Sequence, residues 1–148
     1  GYFYETQVIA SVLSFDPEAS AEVAASIGAS AALHLSDIPF QGPTAACQVG
    51  RVNGDYVLNP GWSLLQKKAS DLEVFVAGTK NAIMMVEGGA QEASEESILK
   101  AILFGHQEIQ KVIELIEQLR GLAGKPKRLI PAPLPRTELK SKIQTHAQ

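Results

Sequence analysis

Apolar and polar positions follow two different periods along this chain, and each change of period marks an element. Thr6 to Phe15 (TQVIASVLSF) is rich in β-branched and apolar residues and predicts a strand. Asp16-Pro17-Glu18 then reads as a helix start, because Asp caps free N–H groups, Pro fits a first turn and Glu suits the positive end of the dipole. The helix is predicted from about Pro17 to Leu35, with Val23, Ile27, Ala31 and Leu35 as its core stripe. Ser36 to Pro43 holds two prolines and a glycine and predicts a loop. Thr44 to Val52 and Asp55 to Leu58 flank Asn53-Gly54, a strong hairpin signal because both turn residues tolerate positive φ.

The second half repeats the logic with different lengths. Asn59-Pro60-Gly61 ends the hairpin, and Trp62 to Lys68 predicts one or two helical turns. Asp71 to Thr79 and Ala82 to Glu87 predict a second hairpin, folded back at Gly78-Thr79-Lys80-Asn81, with Gly88-Gly89 read as a turn. Ser94 is the expected cap of the longest helix, followed by Glu95 and Glu96 in its first turn. Ile98, Ile102, Ile109, Val112, Ile113, Ile116 and Leu119 keep helical spacing to about Arg120, and Gly121, Gly124 and Pro126 supply the stop. Pro126 to Pro135 is expected to be an extended linker, and Thr137 to Gln148 the start of a further helix. The order strand, helix, hairpin, short helix, hairpin, long helix predicts an α+β fold with helices packed on one mixed sheet.

Composition narrows the class. Hydrophobic residues make up 45% and charged residues 20%, which suits a globular chain with a sizeable core. No apolar run is long enough to cross a bilayer, so no membrane role is expected. The lone Cys47 excludes an internal disulfide and fits a reducing cytoplasm; it reads as a small buried apolar residue. The net charge of −3 hides an asymmetry. Residues 1–124 carry 7 Lys and Arg against 15 Asp and Glu, a net of −8, whereas residues 125–148 carry 6 against 1, a net of +5. A basic tail of this kind meets nucleic acid, an acidic neighbour or only solvent. Gly1-Tyr2-Phe3-Tyr4 is an unusual start and the other end stops within a helix-prone stretch, so a fragment of a longer protein is expected.

The candidate chemistry is sparse. His34, His106 and His146 are too far apart in sequence to form a metal set. Glu87, Glu92, Glu95 and Glu96 could gather a divalent cation, but acids at a helix N-terminus explain them more simply. Ser11 and Ser14 have no base partner in sequence, and Gly88-Gly89 lacks the downstream pattern of a phosphate-cradling loop. Lys67 and Lys68 are candidates for lining an RNA path, and Trp62 reads as a core or interface anchor. Two rivals therefore stay open from composition and spacing: a non-enzymatic protein-binding or assembly module, and a metal-dependent hydrolase built on the acids from Glu87 to Glu96.

Several blocks, taken in order, resemble the bacterial polynucleotide phosphorylase family. They are ETQVIASVLSFDPE (Glu5–Glu18), IGASAALHLSDIPFQGP (Ile27–Pro43), VGRVNGDYVLNP (Val49–Pro60), SDLEVFVAGT (Ser70–Thr79), MMVEGGAQE (Met84–Glu92) and FGHQEIQKVIELI (Phe104–Ile116). The resemblance implies an RNase PH-like fold. It places 1–124 as the later portion of a first RNase PH-like domain, 125–136 as a Pro-rich linker and 137–148 as the start of an all-helical domain. It implies a homotrimeric ring that phosphorolyses RNA from its 3′ end with inorganic phosphate, releasing nucleoside diphosphates in mRNA decay, and partners in RNA-degradation assemblies. Mg2+ or Mn2+ is implied for the whole enzyme, bound outside this segment.

The family's active copy carries an Asp, five intervening residues, then Asp-x-Lys ahead of its VAG word. Aligned on Val76-Ala77-Gly78, those places hold Lys67, Glu73 and Phe75 here. The Ser-rich turn of the active copy corresponds to the acidic Asp16-Pro17-Glu18. The resemblance therefore assigns no catalytic, cofactor-binding or metal-binding residue to this chain and implies a scaffold role.

Overall fold

Asn53 and Gly54 adopt φ values of 53° and 91°, the left-handed pair that a tight hairpin needs to match strand twist. They join β1 (Ala45–Val52) to β2 (Asp55–Leu58) with Val52 opposite Asp55. This is a computed structural model describing residues 2–66, 70–131 and 136–146. Its other elements are α1 (Ala21–Leu35), α2 (Trp62–Gln66), β3 (Ser70–Gly78), β4 (Ile83–Ala90), α3 (Glu95–Ala123) and α4 (Thr137–His146). The strands lie in the order β2-β1-β3-β4, every neighbour antiparallel. The α+β class is as expected, but the described sheet is antiparallel where a mixed sheet was predicted. Both hairpins reverse direction locally and no helix crosses between neighbouring strands, so no parallel pair arises.

One face of the sheet is buried under α3. Ala45, Cys47 and Val49 of β1 and Leu72, Val74 and Val76 of β3 pack against Ala101, Ile109 and Ile113 of α3. A Cβ on Gly105 would lie 3.1 Å from Cys47 Sγ, 3.1 Å from Val49 Cγ2 and 3.2 Å from Val76 Cγ2, so its bare backbone is what lets α3 approach this closely. Tyr56 extends the same face, stacking on Phe104 and donating its hydroxyl to the Ser97 carbonyl at 2.9 Å. α1 packs beside α3, with Val23, Ser30 and His34 buried. The stripe differs from the predicted one: Ile27, Ala31 and Leu35 are only half-buried. Ser30 is buried because it accepts the Thr44 N–H at 2.8 Å, which ties the loop before β1 to the helix.

Four local expectations change. Thr6 to Phe15 forms no strand and belongs to no sheet; Leu13 is 96% exposed. Its residue types favour a strand, but a strand needs a neighbour for its N–H and C=O groups, and the described chain supplies none there. Asp16-Pro17-Glu18 is a turn before α1, and Ser20 is the true cap, accepting the Val23 N–H at 3.3 Å. Asp16 instead accepts the Glu18 N–H at 2.9 Å, a local turn that competes with helix. Gly88-Gly89 lies within β4 opposite Val74 and Glu73, not in a turn. A side chain on Gly88 would collide with the Glu73 carbonyl, so the glycine permits close strand contact. Trp62 is 56% exposed and anchors no core.

The chain after α3 returns to α1. Lys125 N–H donates to the Leu35 carbonyl and Arg128 N–H to the Asp37 carbonyl, each at 2.8 Å. Lys127 Nζ donates to the carbonyls of Leu33 (3.0 Å), His34 (2.9 Å) and Ser36 (2.8 Å). Arg128 grips the Asp37 carboxylate with Nε at 2.6 Å and its terminal nitrogen at 3.0 Å.

Candidate functional site on the open face of the sheet

The face of the sheet turned away from α3 carries the positions that the sequence singles out. Strand alternation puts Gln48 of β1, Asp71, Glu73 and Phe75 of β3, and Met85 and Glu87 of β4 on one side. They floor an open cleft of about 1000 Å³, walled by the chain around Phe15–Glu22 and by Trp62 and Leu65 of α2. Glu73 and Phe75 stand two residues apart on one strand, so both project into this cleft. Phe75 is in register with Glu87, and Glu73 with Gly89. The Gln48 side-chain amide donates to the Glu73 carboxylate. Gln48 is held in turn by Asn59, whose Oδ1 accepts the Gln48 N–H at 2.9 Å. Lys67 and Lys68 lie outside the described residues.

The electrostatics of this cleft are acidic. Its described lining includes Glu22, Asp71, Glu73 and Glu87 and contains no Lys, Arg or His. Arg51 reaches Asp71 from the β1 side, with Nε 2.9 Å from Oδ1. That guanidinium holds the Asp71 carboxyl below the usual carboxylate range, and Asp71 raises the Arg51 pKa in return. Glu18 supports the start of α2: its carboxylate accepts the Ser63 N–H at 3.2 Å and the Ser63 hydroxyl at 2.9 Å. A phosphate entering here would meet carboxylates and an aromatic ring. Among the described residues, no three His, Cys, Asp or Glu side chains come close enough to hold a metal ion.

The remaining candidates are dispersed. His34 is buried at the end of α1, its Nε2 3.1 Å from Glu117 Oε2 of α3 and its Nδ1 without a partner among the described residues. His106 sits on α3 with Nε2 3.0 Å from the Thr79 carbonyl, pinning the β3–β4 turn. His146 contacts its own helix α4. Glu96 pairs with Lys100 at 2.7 Å, and Glu95 joins it in the first turn of α3. Ser11 and Ser14 lie in the exposed segment before α1. Cys47 is buried as expected, and burial pushes its thiol up to about 11. Sequence reasoning missed the Gln48–Glu73 contact, the Arg51–Asp71 pair and the Lys127 cluster. Only strand register, which sets Gln48 opposite Phe75 and so within reach of Glu73, could have suggested the first.

Comparison with known proteins gives these positions a context. Residues 42–108, from the loop before β1 into α3, match the 3′ exoribonuclease family, domain 2. The chain is 51% identical over 144 residues to the polyribonucleotide nucleotidyltransferase of Sulfurihydrogenibium sp., covering 97% of this chain and 20% of that protein. It is 44% identical over 146 residues to the polyribonucleotide nucleotidyltransferase of Heliobacterium modesticaldum, covering 99% and 20%. The protein of the same name from Geobacter sulfurreducens is 48% identical over 143 residues, covering 97% and 20%. The chain thus spans about a fifth of the length of the curated relatives it matches.

Proposed function

We propose, from the premise that this chain belongs to the polyribonucleotide nucleotidyltransferase family, that it is a scaffold portion of a phosphate-dependent 3′→5′ exoribonuclease and polymerase. In this reading the whole enzyme uses inorganic phosphate to release nucleoside diphosphates from RNA in the cytoplasm. It works as a homotrimer, within reach of RNA-degradation partners, with Mg2+ or Mn2+ held outside this segment. Residues 1–124 supply RNase PH-like framework, 125–136 link onward, and 137–148 begin a helical part.

One observation carries the scaffold role. Phosphoryl transfer needs cations where charge develops on the phosphate oxygens. Here the face that would correspond to the site presents Glu73 already engaged by Gln48, Phe75 beside Glu87, and further carboxylates at Asp71 and Glu22. This arrangement of described residues is unfavourable to phosphate.

The test is phosphorolysis by the full-length protein. Wild type is expected to release nucleoside diphosphates from a single-stranded RNA only when phosphate is present. Glu73→Gln is expected to keep kcat/KM within about twofold, because the substitution removes a carboxylate that touches no reacting atom. A loss of about a hundredfold or more would place Glu73 in the chemistry and end the scaffold reading. No release by wild type would favour a non-enzymatic assembly module.

A further inference from the structure

The residues from Lys125 to Arg128, just past α3, make more directed contacts to α1 than a spacer requires. Lys127 places one ammonium against three carbonyls of the last turn of α1 and the residue beyond it, at 2.8–3.0 Å. Those carbonyls lie at the negative end of the helix dipole, where acceptors lack helical partners, so a cation there satisfies both. On either side, the Lys125 and Arg128 N–H groups donate to the Leu35 and Asp37 carbonyls. Arg128 then closes a two-pronged grip on the Asp37 carboxylate. Leu129, the next residue, is 98% exposed.

We propose that Lys125 to Arg128 form a latch, with Lys127 as its pin, which fixes where and in what direction the chain leaves this body toward α4. Without it, the exit would be set by the end of α3, and the segment ahead of α4 would swing about Gly124. With it, the exit is tied to α1, so a shift of α1 moves whatever follows Arg128. The latch is polar and partly exposed, and therefore separable from the core: it can open while the sheet stays intact. This inference stands on the contacts alone and does not depend on the proposed phosphorolytic function.

The experiment uses the full-length protein. Lys127→Met keeps the aliphatic stem and removes the ammonium; Asp37→Asn removes the carboxylate held by Arg128. Amide hydrogen exchange at Lys125 and Arg128 is expected to accelerate at least about tenfold in Lys127→Met, and to a smaller degree in Asp37→Asn, with amides of β1 and β3 unchanged. Spin labels on Ala24→Cys in α1 and Leu129→Cys after the latch, in a background with Cys47 and every other cysteine of the full-length protein replaced and with labelled chains diluted in unlabelled protein, should give one narrow distance distribution that broadens in Lys127→Met. Unchanged exchange and an unchanged distribution would overturn the latch. Equal acceleration in β1 and β3 would also overturn it, because the contacts would then be part of the global fold.

Discussion

Gly105 shows how much of this fold turns on one missing methyl group. The long helix rests on the sheet at the point where Cys47, Val49 and Val76 converge, and a Cβ there would press on three side chains at 3.1–3.2 Å. None of them can retreat, because Cys47, Val49 and Val76 are all buried in the closed core between sheet and helix. Gly105→Ala should therefore destabilise the protein by about 1–3 kcal/mol despite the better helix propensity of Ala. Urea unfolding reads this directly; a midpoint equal to or above wild type would show that the helix can lift without penalty. Cys47 gains its character from the same crowding. Its thiol donates to the Gly105 carbonyl at 3.5 Å and is held protonated by burial, so it serves as packing and not as a nucleophile.

Among the elements, the hairpins are legible because their turns carry their own chemistry. Asn53-Gly54 needs positive φ at both positions, and the sequence writes that requirement in two letters. Gly54→Ala should cost about 1 kcal/mol through its φ of 91°, with the sheet otherwise intact by circular dichroism. A neutral result would mean that the turn relaxes to another type. α3 is legible for a different reason: Ser94 marks its start and Ile109, Ile113 and Ile116 keep its buried face. Thr6–Phe15 misleads because strand propensity describes a residue's fit to a sheet and cannot supply the sheet. Gly88-Gly89 misleads because paired glycines signal turns as readily as close strand contact. Of the candidate site, the charge mismatch at Lys67 and Phe75 is readable from the letters. The cleft that Glu73 and Phe75 share, the Gln48 amide and the opposing Glu87 depend on register, which one strand's sequence does not encode.

At the scale of the whole molecule, charge is distributed by sign and bound by a few pairs. Asp37, Asp71 and Glu96 are each held below their ordinary pKa, chiefly by the hydrogen-bonding cations Arg128, Arg51 and Lys100. A carboxyl whose folded pKa is lowered contributes stability that is present above its unfolded value, about 4, and is lost as pH falls through the lower folded value. Unfolding free energy should thus be flat from about pH 7 to 5 and fall below about pH 4, with a smaller fall in high salt because these pairs face solvent. Stability that rises on acidification would contradict the pairing.

The sheet ends at β4 with no further strand beside it among the described residues, and Met84, Met85 and Val86 stand exposed along that border. A row of free amide and carbonyl groups next to greasy side chains is an open template for any extended peptide, including Thr6–Phe15 of a neighbouring molecule. Handled on its own at high concentration, this polypeptide should self-associate through β4, and a charged residue in place of Val86 should suppress it; light scattering that gives the same size at every concentration would contradict this.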